Sequence, residues 1–175
     1  MAAIRYKPDE SGKMKPLVVF SPIGTIHSPF TDIAGMPIQP SGARGVRGTI
    51  EISEAYADGL RDIDGFSRII LLYAFHECEA CELTVTPFLD TEPHGIFATR
   101  APCRPNAIGL SVVRLTGRKG RMLMIEDVDV LDGTPLLDIK PYVPAFDAYP
   151  DSTSGWLEKN IGSAELCRSD GRFQS

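Results

Sequence analysis

The sequence has no long hydrophobic run. The longest, IILLYAF at 69–75, is seven residues long, whereas a membrane-spanning helix needs about 20 apolar residues. The first 16 residues also lack the apolar stretch of a secretory signal. We therefore expect no membrane association and a cytoplasmic location.

An excess of positive charge is missing too. Lysine and arginine total 18 against 23 aspartate and glutamate residues, a net charge of −5. Such a chain has no general attraction for polyanions, so any binding to nucleic acid requires a local basic face.

Cysteine is scarce, with four residues at positions 78, 81, 103 and 167. This irregular set does not suit a disulfide scaffold, and we expect reduced thiols. One alternative is a zinc site built on His76, Cys78 and Cys81. His94 or Cys103 would supply its fourth ligand, but a second closely spaced ligand pair is missing, which favours an incidental role.

Several motifs of common enzyme classes are absent: HExxH, Walker A and G-x-S-x-G. The glycines of GARGVRG at 42–48 do not have the spacing of G-x-G-x-x-G, and no long amphipathic helices alternate with the strands. The missing motifs remove support for a metalloprotease, a nucleotide hydrolase and an α/β-hydrolase. The glycine spacing and the missing helices argue against a Rossmann fold.

What is present is a series of short apolar segments separated by turn signals. They include GTIEIS, RIILLYAFH, AIGLSVVRLT and RMLMIEDVDVL, and in the last segment valines 128 and 130 alternate with aspartates, as in a half-buried strand. Only EAYADGL and SGWLEKN suggest short helices. The pattern predicts a mainly β protein, a single antiparallel or mixed β-barrel.

The chain divides into three parts on this reading. Residues 1–16 lack periodicity and predict a flexible tail. Residues 17–150 form the barrel domain, and residues 151–175 form a short helix and a second loose tail.

The stretch GIFATRAPCRPNAIGLS at 95–111 is the most unusual. Arg100 and Arg104 stand beside Pro102 and Pro105, which stiffen the loop. A rigid loop with forked donors suits a carboxylate, a phosphate or a purine edge. Cys103 between the arginines is a candidate nucleophile, although no histidine partner is identifiable.

Four ordered stretches resemble the TsaA/TrmO family: IGTIHSPF, GFSRIILLYAFH, GIFATRAPCRPNAIGLSVVRL and DVLDGTPLLDIKPYVP. The resemblance covers roughly residues 17–150. It implies a dimeric β-barrel methyltransferase that uses S-adenosylmethionine. Its acceptor would be the N6 nitrogen of threonylcarbamoyladenosine at position 37, in the tRNA anticodon loop.

The resemblance also implies site residues. The cofactor site would contain Gln39, Pro40, Phe75, His76, Arg100, Leu110, Asp132, Gly133, Thr134 and Pro135. Arg104, Asn106 and Lys140 match positions expected on the substrate side. His76, Tyr142 or a water held by Asp138 are candidates for a general base, and no metal is expected.

The chain departs from the family pattern in two places. The family's Pro-Arg-Gln-Pro segment reads PIQP here, with Ile38 in place of arginine, and Arg44 is a possible substitute. Longer members of the family carry an additional C-terminal domain. The resemblance therefore implies cofactor binding more directly than it implies which tRNA is selected. A non-catalytic S-adenosylmethionine-binding module that regulates a partner is therefore the alternative.

Overall fold

The computed structural model describes residues 3–8, 11–78, 81–170 and 172–173. Six strands close into an antiparallel barrel, which confirms the predicted mainly β barrel. The barrel strands are β3 (Gly24–His27), β4 (Arg47–Ile52), β5 (Arg68–Ala74), β8 (Ile108–Lys119), β9 (Met122–Glu126) and β10 (Thr134–Pro141). Their order around the barrel is β10-β3-β4-β9-β8-β5.

The remaining elements are short. Two-stranded pairs are formed by β1 (Ala3–Pro8) with β2 (Met14–Val19) and by β6 (Thr84–Val85) with β7 (His94–Gly95). The helix α1 spans Pro144–Asp147, and 3₁₀ helices span Pro40–Ala43, Glu54–Leu60, Ile63–Gly65, Ile96–Ala98, Gly155–Lys159 and Ile161–Ser163. Within the described ranges, no helix has the length and apolar composition needed to cross a bilayer.

The barrel interior is filled by alternate residues of its strands. In β5, Ile69, Leu71 and Tyr73 are buried while their neighbours are partly exposed. This period of two is what a strand with one face on the core requires. The core also contains Val128 and Val130, which come from the segment after β9.

One end of the barrel, which we name the site end, collects the end of β5 and the starts of β8 and β10. Ala74 pairs with Ile108, the first residue of β8. Thr134, the first residue of β10, pairs with Ile26 near the end of β3. Because neighbouring strands are antiparallel, the loops that enter and leave these strands meet at this end.

Three expectations about secondary structure were wrong. The strand predicted through Val130 ends at Glu126, because Asp127 takes a left-handed φ of 67° that an extended strand does not accommodate. Residues 1–16 were expected to be an irregular tail, but Ala3–Pro8 pairs with Met14–Val19 as the β1–β2 hairpin. Their register is set by backbone pairing, which the hydrophobic pattern does not reveal.

The third error concerns residues 163–175, which were expected to be a loose tail. Among those described, the Ser169 N–H donates to the Met36 carbonyl at 2.9 Å and Arg172 Nη1 donates to the Pro87 carbonyl at 3.2 Å. The residues before this segment also bind earlier loops: Asn160 Nδ2 donates to the Leu89 carbonyl at 2.8 Å and Trp156 Nε1 to the Ala98 carbonyl at 2.8 Å. Because these bonds join residues that are far apart in the sequence, no local sequence pattern predicts them. The two short helices suggested by EAYADGL and SGWLEKN are present as 3₁₀ helices.

Candidate functional site

The turn at 131–135 is held at the site end by its own hydrogen bonds. Gly133 has a φ of +76°, a conformation that favours glycine. Its N–H donates to the Ile26 carbonyl at 3.0 Å, and the buried Thr134 hydroxyl donates to the Leu131 carbonyl at 2.8 Å. These bonds fix the turn on the end of β3, and Pro135 follows as the second residue of β10.

Asp132 presents a carboxylate from this turn. It accepts hydrogen bonds from the Ser28 N–H at 3.1 Å and from His27 Nδ1 at 3.2 Å. The Ser28 bond is the main cause that holds the pKa of Asp132 below its ordinary value, and the His27 bond adds to it. The group is therefore anionic at neutral pH and partly exposed.

His76 and Asp132 line the same open pocket. The pocket has a volume of about 360 Å³ and is lined by Thr31, Asp32, Ile33, His76, Glu77, Leu131 and Asp132. His76 Nε2 is 3.4 Å from a carboxylate oxygen of Glu77. The fold thus brings together two predicted site segments that are more than 50 residues apart in the sequence.

Phe75 precedes His76 and is anchored to the neighbouring segment. Its N–H donates to the Ala107 carbonyl at 2.8 Å. Its ring meets Tyr73 edge to face, with the centroids 5.4 Å apart. Phe75 is only partly buried and packs on the core cluster, so it forms apolar wall at the site end.

A second group of predicted residues centres on Arg100. Its Nη1 donates to Gln39 Oε1 at 2.9 Å, which ties the loop at 95–107 to the start of the Pro40–Ala43 helix. That helix packs against β8. Leu110, also on β8, points outward and leaves 49% of its surface exposed.

The residues expected on the substrate side behave differently from one another. Arg104 Nη1 donates to the Thr99 carbonyl at 3.2 Å, so it organises the loop in which it lies. Asn106 is exposed, and its carbonyl accepts from the Ile108 N–H at 2.7 Å. Both stand at the entrance to β8, at the site end.

Lys140, Tyr142 and Asp138 are not brought to this end. Lys140 pairs with Ile70 in the ladder, and its Nζ is 2.8 Å from Asp138 on the outer wall. The Tyr142 N–H donates to the Arg68 carbonyl at the start of β5. Strand β5 spans six residue steps, or ~20 Å at ~3.3 Å per residue, so a base role for Tyr142 at the site end is not supported within one chain.

The expectation of reduced thiols was wrong for two cysteines. Cys78 and Cys103 form a disulfide, with their Cα atoms 5.6 Å apart. The bond between Phe75 and Ala107 sets the segment after β5 beside the segment before β8, which brings these distant cysteines together. Cys81 and Cys167 are free.

This disulfide also changes the two cysteine-based alternatives. The buried Cys103 is not available as a nucleophile. The zinc alternative loses Cys78, and the described part of the chain contains no cluster of three potential metal ligands. The disulfide instead links the loop of His76 to the loop of Arg104.

Sequence reasoning missed a chain of polar groups inside the site end. The Tyr73 hydroxyl lies 3.1 Å from Ser111 Oγ, and Ser111 Oγ donates to Asp129 Oδ1 at 2.7 Å. Burial raises the pKa of Asp129 to about 6, partly offset by the Ser111 bond and the nearby Arg100. The serine inside the apolar strand AIGLSVVRL was the available signal.

Gly109 leaves space for the Tyr73 ring, the first member of this series of hydrogen-bonded groups. A Cβ at position 109 would come within 2.2 Å of the Tyr73 ring, because the ring lies across the glycine on the paired strand. A side chain on β8 at this point would therefore displace the phenol from Ser111.

A larger open depression of about 560 Å³ lies elsewhere. It is lined by Phe88, Leu89, Asp90, Thr91, Asn160, Ser163, Leu166 and Cys167. None of the predicted site residues lines it. We place the candidate site at the barrel end, where polar and charged groups converge.

Comparison with known proteins adds independent information. The family model of the tRNA-methyltransferase O N-terminal domain matches residues 25–148. A probable S-adenosyl-L-methionine-binding protein from Pyrococcus abyssi is 55% identical over 159 residues, covering 91% of this chain and 86% of that protein. The tRNA (adenine(37)-N6)-methyltransferase of Escherichia coli is 33% identical over 149 residues, covering 79% of this chain and 63% of that protein.

A solved structure is similar as well. The crystal structure of TrmO from Pseudomonas aeruginosa has a TM-score of 0.67 and 41% identity, covering 79% of this chain and 62% of that one. The chain thus spans less than two thirds of the length of the two methyltransferases compared.

Proposed function

Because this chain belongs to the tRNA-methyltransferase O family, we propose that it binds S-adenosylmethionine and methylates N6 of threonylcarbamoyladenosine at position 37 of tRNA. The Escherichia coli relative is a tRNA (adenine(37)-N6)-methyltransferase by name, and the Pyrococcus abyssi relative is named for S-adenosylmethionine binding. The threonylcarbamoylated adenosine as acceptor is therefore the part of the proposal that goes beyond these names.

The observation that carries the proposal is the convergence of predicted cofactor segments at the site end. Asp132 and His76 line one pocket, and Arg100 is held nearby by Gln39. The ammonium group of S-adenosylmethionine needs hydrogen-bond acceptors, its carboxylate needs a forked donor, and its adenine base needs an apolar surface. The site end offers each of these chemistries.

The residues present fit S-adenosylmethionine in kind. Asp132 is an anionic acceptor for an ammonium or for hydroxyl groups, and Arg100 is a forked donor for a carboxylate. Phe75 and Leu110 supply apolar surface for the base. The cofactor itself supplies a methyl group already activated by the sulfonium. The protein mainly has to orient the acceptor, which is worth ~7 to 11 kcal/mol in favourable cases.

The loop at 95–107 is the proposed acceptor side. The threonyl carboxylate of the modified adenosine is a bidentate target for an arginine, and Arg104 stands beside the exposed Asn106 at the entrance to β8. A base turned out of the anticodon loop is the form in which proteins usually read RNA sequence. Arg104 and Arg100 supply the positive charge for the local basic face that a chain of net charge −5 requires, and Asn106 adds a neutral amide.

We also propose that the chain forms a homodimer. Ile108 lies on the outer face of β8 and is 39% exposed. Covering such apolar surface is favourable at about 25 cal/mol per Å². Light scattering of the purified chain should give twice the monomer mass of 19.1 kDa, and a mass equal to the monomer would contradict this part.

The central experiment is nucleoside mass spectrometry after incubation with S-adenosylmethionine and tRNA that carries or lacks the threonylcarbamoyl group. We expect methylated product only from the modified tRNA. Replacing Arg104 by alanine should weaken use of the acceptor by ~10- to 100-fold, the value of a charged hydrogen bond, with cofactor affinity nearly unchanged. Arg100→Ala should weaken both.

Arg61→Ala serves as the matched control, because this exposed arginine follows the Glu54–Leu60 helix away from the site end. Wild-type kinetics in both the Arg100 and the Arg104 variants would contradict the assignment. Cofactor binding by calorimetry with no methylated nucleoside from either tRNA would instead favour the non-catalytic binding module. Several relatives are named for S-adenosylmethionine binding alone.

A further inference from the structure

We propose that Asp129 accepts the proton that leaves the acceptor nitrogen during methyl transfer, an inference that rests on the proposed function. Asp129 lies in the segment between β9 and β10, three residues before Asp132. Its neighbours Val128 and Val130 are buried in the barrel core. The segment therefore crosses the site end, and Asp129 retains partial exposure there.

The carboxylate of Asp129 is oriented by a hydrogen-bond chain. Ser111 Oγ donates to its Oδ1 at 2.7 Å, and the Tyr73 hydroxyl is 3.1 Å from Ser111 Oγ. Tyr73 and Ser111 are 6% and 1% exposed, so packing fixes both. A proton acceptor needs such fixed orientation to be effective.

Burial also gives Asp129 the strength of a useful base. Its pKa is raised to about 6, because desolvation disfavours the carboxylate more than Ser111 and Arg100 favour it. The facing groups on the packed elements are Ser111 on β8, Tyr73 on β5 and Arg100 on the loop at 95–107. Burial and the Asp129 charge raise the pKa of Tyr73 well above its ordinary value, so the phenol stays neutral.

Other candidate bases are less suitable. Asp132 accepts two hydrogen bonds that hold its pKa below the ordinary value, which makes it a weak base. Asp138 is paired with Lys140 on the outer wall. His76 lies beside Glu77 in an open pocket, outside the hydrogen-bond chain that orients Asp129.

The proposed step is balanced without a metal or redox partner. The N6–H bond of the acceptor breaks and its proton passes to an oxygen of the Asp129 carboxylate. The nitrogen electron pair forms the new bond to the methyl carbon, and the electrons of the carbon–sulfur bond return to sulfur. The products are the N6-methylated nucleotide, S-adenosylhomocysteine and the neutral acid of Asp129, which then loses its proton to water.

The test compares wild-type protein with Asp129→Asn, which keeps the shape and an oxygen for the Ser111 bond. Single-turnover methylation of threonylcarbamoylated tRNA should fall by at least ~100-fold, the lower range for general acid–base catalysis. The dissociation constant of S-adenosylmethionine, measured by calorimetry, should stay within about twofold. Asp58→Asn, an exposed aspartate of the Glu54–Leu60 helix, is the control.

Three outcomes overturn the inference. A rate for Asp129→Asn within a few-fold of wild type removes the base role. A parallel loss of cofactor affinity and rate makes Asp129 a positioning residue for the cofactor. If the wild-type protein binds S-adenosylmethionine but methylates no tRNA, both this inference and the proposed function are wrong. The reaction of the wild-type protein alone shows this outcome, before any variant is tested.

Ser111→Ala provides a second test should Asp129→Asn fail to fold. Because the Ser111 bond lowers the pKa of Asp129, its loss should move the acidic limb of the wild-type rate profile to higher pH. Carbon NMR of the labelled aspartate carboxyl groups should show the same upward shift without any turnover. If neither the acidic limb of the rate profile nor the titration of the Asp129 carboxyl group shifts in Ser111→Ala, the inference is overturned.

Discussion

Gly109→Ala should destabilise the barrel through one defined clash. The new Cβ would lie 2.2 Å from Cε2 and 2.4 Å from Cζ of Tyr73, whereas ordinary carbon contacts are ~3.5 to 4 Å. Gly109 does not have a positive φ, so backbone strain makes no contribution. The tyrosine ring has to move by more than 1 Å in a place where Phe75 and Ser111 confine it.

The magnitude follows from two losses. Overpacking of a core typically costs ~1 to 3 kcal/mol, and loss of the hydrogen bond between Tyr73 and Ser111 costs ~1 kcal/mol more. The sum, about 2 to 4 kcal/mol, corresponds to a decrease in Tm of ~4 to 16 °C for a domain of this size. Differential scanning calorimetry and urea unfolding measure both values.

The control is Gly59→Ala, at a glycine whose added Cβ meets nothing within 4 Å. Its free energy of unfolding should change by less than ~1 kcal/mol. Tyr73→Leu, which lacks the two nearest ring atoms, should make Gly109→Ala much less costly in the double variant. Equal stabilities of Gly109→Ala and Gly59→Ala, or additive effects in the double variant, would refute the packing argument.

Two further predictions concern other groups at the site end. Thiol titration of the unfolded, unreduced chain should find two reactive thiols among the four cysteines, and four thiols would contradict the disulfide. Reduction of the disulfide should lower the free energy of unfolding by about 3 to 4 kcal/mol, the value of the chain-entropy model for a separation of 25 residues. Since the folded pKa of Asp132 is depressed, its contribution to stability should be present above about pH 4 and be lost as the pH falls through the folded pKa. The stability difference between wild type and Asp132→Asn should therefore shrink as the pH falls below about 4, and a difference independent of pH would refute the assigned cause.

The sequence by itself determined the class of fold and much of the proposed site. Alternating apolar residues in β5, with turn signals such as Asp132-Gly133, are local properties that a chain carries before it folds. The family resemblance rested on the same stretches, which is why the matched region at 25–148 falls within the predicted barrel domain.

The tertiary structure decided which of these residues meet. Barrel closure places Asp132 and His76 in the lining of one pocket and Lys140 and Tyr142 away from it, because strand register and direction are set by pairing across the whole sheet. The Cys78–Cys103 disulfide depends on contacts between segments that no short pattern relates. The Tyr73–Ser111–Asp129 chain is a tertiary feature for the same reason: a buried polar residue gains its role only from the partners that folding brings within hydrogen-bond distance.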